Sequence, residues 1–376
     1  MTMPRLSRLF PPPPWRQTLR CCGGRGFRSK AALDALAKAS AESLVLYNYP
    51  SFAGAFGSLF ARLYHSHLCR PLLILPFSSV HPFRAVDFKI EGLKTCYLID
   101  FVGPDHFPHQ LSQLIDQTFG IVSITDFKIH CFRVVVIDHH KSALLKVDPG
   151  EDCPRNLHLH LDTNKSSAVA AYDYFTQQLN TENSAEQQEK MCLINGEDAA
   201  RILMLIKYIE DANLRKWELP DIRAFNIGIR PMFAKLNCVT NPYIFDQLLK
   251  LNPADLIAKG SSIIKSRQDA AKKLLGKPFK IRLGKGFYGN CLGIRADGNS
   301  NLADEIGKEL SIRSAAAGLR PIGAVVYMQR GILKMCLRST DSKADTSEIA
   351  KAYGGGGNSF SSSFTIKMDE YNKWVS

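Results

Sequence analysis

The feature that most constrains this chain is the run Val134-Val135-Val136-Ile137, which stops abruptly at Asp138-His139-His140. Four consecutive β-branched residues favour an extended strand, and a strand apolar on both faces belongs inside a sheet covered on both sides. An acid and two imidazoles then stand at its C-terminal end, the edge where open α/β sheets bind ligands. A carboxylate beside imidazoles suits a hard or borderline divalent metal such as Mn²⁺. Taken alone, the tripeptide is equally well read as the polar end of any strand.

Other segments repeat the pattern. Ser43 to Tyr49, Leu72 to Pro76 and Cys96 to Val102 are short apolar strand candidates. Gly54 to Tyr64 carries Phe56, Leu59, Phe60 and Leu63 on one helical face, and Ser166 to Leu179 and Glu197 to Ile209 read as helices. Strands alternating with helices predict an α/β domain whose mostly parallel sheet has helices on both faces, over residues 41–250. Residues 251–278 read as a helical connector, with Asn252 to Leu275 bearing Lys and Arg. From Phe279 the strands FKIRL, YGNCLGIRA, GAVVYMQ and LKMCLRS surround one helix, Leu302 to Gly318, which predicts a smaller α/β domain over 279–376. Thr181 to Glu189 reads as a polar loop or solvated helix end, and Phe119 to Phe132 as extra sequence between two strands.

Charge sorts the chain further. Of the net +13, seven cations from Arg5 to Lys30 precede the first acid, Asp34, which leaves +6 for the remainder. An Arg-rich leader over residues 1–40, free of acids before Asp34 and interrupted by Pro11 to Pro14, reads as an organellar targeting segment for mitochondrion or plastid, or as a disordered basic tail on a cytoplasmic protein. No apolar stretch approaches the roughly 18 residues that a membrane span requires. The ten cysteines form no CxxC pair, which argues against a zinc-finger spacing and a disulfide framework and fits a reducing compartment.

Two further acids complete a constellation. Tyr97-Leu98-Ile99-Asp100 ends a second strand in a carboxylate, and Lys207-Tyr208-Ile209-Glu210-Asp211 places one at a helix C-terminus, a position the helix dipole disfavours. Shared carboxylates that hold two metals recur where both oxygens of a phosphoryl displacement must be clamped. The spacing of these elements resembles the DHH phosphoesterase family over residues 43 to 375, with Asp100, Asp138, His139, His140 and Asp211 on matching positions. The resemblance implies Asp100, His139 and Asp211 as ligands of one or two Mn²⁺ or Mg²⁺ ions, Asp138 and His140 as ligating or orienting groups, and Asp138, His139 and His140 as the catalytic motif. Asn48 and Ala53 stand where the family carries a His and an Asp. Alanine offers a metal nothing, and asparagine only a weak oxygen.

The C-terminal domain resembles the DHH-associated domain. Its mark is Gly354-Gly355-Gly356-Gly357 after Leu337-Arg338-Ser339, with Asn358 where the family has a His. The resemblance implies Arg338, Ser339, Gly355, Gly356, Gly357 and Asn358 as phosphate-binding residues, since glycines admit an anion to backbone N–H groups and arginine donates a forked pair. Without the resemblance, the segment reads equally as a Gly/Ser loop. Two readings follow: a metal-dependent phosphodiesterase acting on nucleotides or oligonucleotides, or a non-catalytic relative that binds nucleotide or single-stranded nucleic-acid phosphates. Two other patterns carry less. Gly284 to Gly289 spells GxGxxG between two strand-like segments and is expected to be a hairpin, and His158 and His160 share one face of a short strand, as polar edge positions or a two-histidine metal site.

Overall fold

The computed structural model describes residues 41–79, 82–88, 92–104, 106–116, 133–147, 153–183 and 191–375. The leader, the 119–132 segment and most of Thr181 to Glu189 lie outside the described residues. The chain divides into two compact units, residues 1–260 and 261–376.

Among the described residues, the first unit is built on five strands: β1 (Ser43–Asn48), β2 (Leu72–Phe77), β3 (Thr95–Ile99), β4 (Arg133–Asp138) and β5 (Leu157–Leu161). They lie in the order β2-β1-β3-β4-β5, and every pairing is parallel. The helices of this unit are α1 (Phe52–His67), α2 (Phe107–Asp116), α3 (Lys141–Lys146), α4 (Ser167–Asn183), α5 (Gly196–Asn213), α6 (Ile222–Ile229), α7 (Ile244–Leu249) and the start of α8 (Pro253–Leu274).

Alternate side chains feed two cores. Val45, Tyr47, Tyr97, Ile99, Val135 and Ile137 pack with Phe56, Phe60, Phe175 and Leu205 from α1, α4 and α5. Leu44, Leu46, Cys96, Leu98, Val134 and Val136 point the other way, onto Phe107, Leu111 and Ala143 from α2 and α3. Burial on both faces is why these strands read as unbroken apolar runs rather than alternating ones.

Two helices approach closely at Gly228 of α6 and Gly260 of α8. A Cβ on Gly228 would lie 1.9 Å from the Leu256 carbonyl oxygen, and one on Gly260 would lie 1.8 Å from that of Ala224. Backbone on both sides leaves no flexible atom to yield. Gly260→Ala is therefore expected to cost about 2–3 kcal/mol through forced separation of the helices. The check is the denaturant midpoint, and an unchanged midpoint would remove the close-packing account.

The second unit holds β6 (Phe279–Arg282), β7 (Asn290–Arg295), β8 (Ile322–Gln329), β9 (Ile332–Ser339), β10 (Gly356–Asn358) and β11 (Ser361–Ile366), ordered β10-β11-β9-β8-β7-β6. The pairing β7–β8 is parallel and the others antiparallel. Around this sheet lie α9 (Ala303–Ala316), α10 (Thr346–Ala352) and α11 (Met368–Val375). The architecture is thus α/β, with a wholly parallel sheet in one unit and a mixed sheet in the other. The GxGxxG segment lies in the hairpin between β6 and β7. Among the described residues, no helix is long and apolar enough to cross a membrane.

Candidate metal centre

Three adjacent strands bring polar residues to one edge of the first sheet. Tyr47 pairs with Ile99, and Ile99 with Ile137, so Asn48, Asp100 and Asp138 follow at the C-terminal ends of β1, β3 and β4. Asp100 leaves its strand with φ +70°, while its N–H donates to the Ile137 carbonyl at 2.8 Å. The left-handed region is uncommon for a residue with a Cβ, though aspartate tolerates it better than most.

One oxygen of each carboxylate is already committed. Asp138 Oδ1 accepts the His139 N–H at 2.8 Å and the His140 N–H at 3.3 Å, and stands 2.7 Å from His140 Nδ1. Asp100 Oδ2 accepts from Asn48 Nδ2 at 3.2 Å and from the Ser51 hydroxyl at 2.5 Å. Ser51 caps α1, and its own oxygen accepts the Gly54 N–H at 3.3 Å. That places the positive end of a 16-residue helix beside Asp100.

The other oxygen of Asp100 differs. Oδ1 is buried and makes no hydrogen bond. His139 Nδ1 lies 3.1 Å from it, at ion-pair distance, but off the line of a hydrogen bond; the same nitrogen is 2.8 Å from Ser167 Oγ, at the start of α4. Asp100, Asp138, His139 and His140 each contribute one donor atom to a group lying within 4.8 Å of one another. Both carboxylates are only 2% exposed. Two buried anions of like sign, one with an orphaned oxygen, with imidazole nitrogens beside them, form a donor set that fits a divalent cation.

The electrostatics lean the same way. Burial is the largest influence on Asp100 and favours its neutral form, but His139, Ser51 and the field of His140 together outweigh it and hold the carboxyl below its usual range. His140 is raised, first by its contact with Asp138, against the opposing effect of burial. Its side chain is 45% exposed, whereas that of His139 is 8% exposed.

The other residues singled out in the sequence stand elsewhere. Asp211, near the C-terminus of α5, lies outside the four-residue group. It is buried, with Oδ1 accepting the Glu218 N–H at 3.0 Å and Oδ2 making no hydrogen bond. The preceding Glu210 accepts the Ser166 N–H at 2.9 Å, next to Ser167. His158 and His160 sit on the edge strand β5, both exposed. Burial and, second, the nearby Arg133 lower His158; burial and then His158 lower His160.

In the second unit, Arg338 Nε donates to Asp304 Oδ1 at 2.9 Å, and its Nη1 to the Leu337 carbonyl at 2.9 Å. The Ser339 hydroxyl donates to backbone carbonyls, with Pro321 at 3.0 Å and Asp341 at 2.9 Å. The glycine run ends α10 and starts β10. Gly354, with φ +72°, lets the Gly355 N–H turn back to the Ala350 carbonyl at 2.8 Å, a helix stop. At Gly355 and Gly357 a Cβ would come within 2.3 Å of the carbonyl oxygens of Ser363 and Ser361 on β11. Asn358 Oδ1 accepts the N–H groups of Phe360 and Ser361 at 3.0 and 2.9 Å and closes the hairpin turn. Gly354 and Gly356 have open space where a Cβ would be, and of the two only Gly356 lies outside the left-handed region.

A scan of protein-family models finds no match, and a search of curated proteins finds none either. Solved structures do show similarity. An exopolyphosphatase-related protein from Bacteroides fragilis is 12% identical, with a TM-score of 0.32 over 92% of this chain and 94% of that one. RecJ from Thermus thermophilus, in complex with Mn²⁺, is 14% identical, with a TM-score of 0.31 over 93% of this chain and 53% of that one. CDC45 from Entamoeba histolytica is 11% identical, with a TM-score of 0.31 over 92% of this chain and 96% of that one. Similarity at this level leaves the functional argument to the residues themselves.

Proposed function

We propose that this chain is a metal-dependent phosphoesterase of the DHH type, acting on phosphodiesters of nucleotides or oligonucleotides. The observation that carries the reading is the meeting of Asp100, Asp138, His139 and His140 at the ligand-binding edge of a parallel sheet. Asp100, Asp138 and His139 would hold Mn²⁺ or Mg²⁺, with Asp211 a further ligand through its orphaned Oδ2. Such an ion, when bound, polarises a phosphoryl oxygen. Asp138 Oδ1 orients the His140 ring and holds the His139 backbone N–H, while Ser167 fixes the ring of His139. The partly exposed His140 ring, tied at Nδ1 to Asp138, is the group placed to exchange a proton with substrate.

A second reading is a non-catalytic phosphate-binding relative. It is favoured by Ala53, which is fully buried and offers no ligand, and by Asn48, whose amide donates to Asp100 rather than offering its oxygen. The Arg338 guanidinium and the open backbone at Gly356 are the phosphate contacts both readings assign to the second unit, with Arg338 shared between phosphate and Asp304.

Hydrolysis of bis-p-nitrophenyl phosphate and of short oligonucleotides with Mn²⁺ separates the two. Turnover that disappears in Asp100→Ala supports the enzyme. No turnover, with oligonucleotide binding that weakens several-fold in Arg338→Ala, rejects it in favour of the binding protein. The basic leader is proposed to direct the chain to an organelle; a fusion of residues 1–40 that stays in the cytosol would end that idea.

A further inference from the structure

We infer that the centre holds one divalent cation rather than two, because Asn48 and Ser51 fill with hydrogen-bond donors the side of Asp100 on which a second ion would have to sit. The inference rests on the metal-centre reading above and concerns its stoichiometry.

A carboxylate that bridges two metals across its two oxygens gives one oxygen to each. Asp100 has only one oxygen free to do so. Its Oδ1 faces the imidazole side of the site without a hydrogen bond, and this is the oxygen a cation would complete. Its Oδ2 receives the Asn48 amide and the Ser51 hydroxyl, at 3.2 and 2.5 Å. Both contacts bring protons to that oxygen, and a cation on the same side would face them.

The local chain geometry makes this arrangement more than a chance contact. Asn48 ends β1 directly beside β3. Ser51 is fixed as the cap of α1, where its oxygen is also held by the Gly54 N–H. The N-terminal end of α1 adds partial positive charge on the same flank. Two donors and a helix end together supply the positive potential that a second cation would otherwise provide. Position 53 points no ligand back toward the site: Ala53 is completely buried in the core between α1 and the sheet. Asp138 shows the same economy, since three N–H donors converge on its Oδ1. The first-strand side is therefore a protein-made counterpart of a metal site. Asn48 and Ser51 act as positioning residues for Asp100 and do not touch the cation.

The test is a count of Mn²⁺ bound by the full chain, by equilibrium dialysis with metal analysis, together with electron paramagnetic resonance of the loaded protein. One equivalent per chain is expected, with the six-line pattern of isolated Mn²⁺. Two equivalents with an exchange-coupled signal overturn this inference and leave the metal-centre reading standing. No bound Mn²⁺ overturns both. A second measurement needs no change in the core: Ser51→Ala removes a donor without adding a ligand. It is expected to keep the stoichiometry at one and to weaken Mn²⁺ binding about 10-fold, as loss of an orienting partner does. Ser51→Thr, which keeps the hydroxyl, is expected to restore the affinity. Ser51→Ala with wild-type affinity, or restoration absent in Ser51→Thr, overturns the role given to that hydroxyl.

Discussion

Asp138→Ala is expected to weaken Mn²⁺ binding by at least 100-fold and to reduce phosphodiester hydrolysis to background. The size follows from how much converges on one oxygen. Asp138 Oδ1 holds the His139 and His140 N–H groups and the His140 ring, at 2.8, 3.3 and 2.7 Å. Losing an orienting partner of a metal ligand typically costs about 10–100-fold, and Asp138 is at once a member of the donor group and the partner of two others. Removing the carboxylate also strands two N–H groups near the sheet edge, at about 1–3 kcal/mol for each one that water fails to reach. A folding defect must therefore be separated from a site defect. Asp138→Asn does this, because its amide oxygen still accepts both backbone N–H groups while the charge is gone. Its unfolding midpoint is expected to stay close to wild type and its Mn²⁺ affinity to fall nearly as far as in the alanine variant. Calorimetric titration and chemical denaturation on the same preparations read both quantities. Undiminished Mn²⁺ binding in Asp138→Ala would place the metal centre elsewhere and remove the proposed function with it.

The sheet edge was legible because its information is local. Each central strand is apolar on both faces, so Val134 to Ile137 and Cys96 to Ile99 announce themselves as buried strands whatever their partners. The polar residue that ends each run marks the edge. Strand order converts those separate endings into one site, and it became visible once Ile99 paired with Ile137. The ring of donors around Asp100 was not legible in this way. It depends on the left-handed turn at Asp100, on the cap that fixes Ser51 and on Ser167 arriving from a distant helix. The only signal in the sequence was a serine just ahead of a helical pattern, which is a common cap. The glycine run was legible only as a string. As a string it invites a phosphate cradle, whereas helix termination and tight packing of β10 against β11 already account for Gly354, Gly355 and Gly357. A run of small residues does not say whether the space it opens is filled by a ligand or by its own chain.

The second large effect is on stability. Lowering the pH from 7 to 5 is expected to cost the wild-type protein about 2 kcal/mol more than it costs His65→Leu. His65, in the last turn of α1, is 3% exposed, and neither ring nitrogen has a hydrogen-bond partner. Its ring packs edge-on against Tyr64 and Tyr97, with centroids 5.1 and 5.8 Å away. Burial, reinforced by the charge of Arg70 and only partly offset by Glu182, lowers its pKa to about 4, from 6.5 for a free histidine. Above pH 6.5 the imidazole is neutral in both folded and unfolded chains and titration contributes nothing. Between 6.5 and about 4 the unfolded chain takes up a proton that the folded one refuses, so stability falls as the pH falls. The whole window corresponds to about 3 kcal/mol, of which about 2 kcal/mol is spent by pH 5. Asp100 is also depressed, but its window lies below the ordinary carboxylate range and leaves this one clear. Histidines elsewhere contribute equally to both proteins and cancel in the difference. Leucine has nearly the volume of histidine and suits a helix, so the variant should lose the pH dependence without opening a cavity. Denaturant midpoints for both proteins at pH 7, 6 and 5 provide the comparison. Parallel pH profiles would mean that the folded chain protonates His65 as readily as the unfolded one, and that water reaches a ring the packing of α1 against the sheet keeps dry.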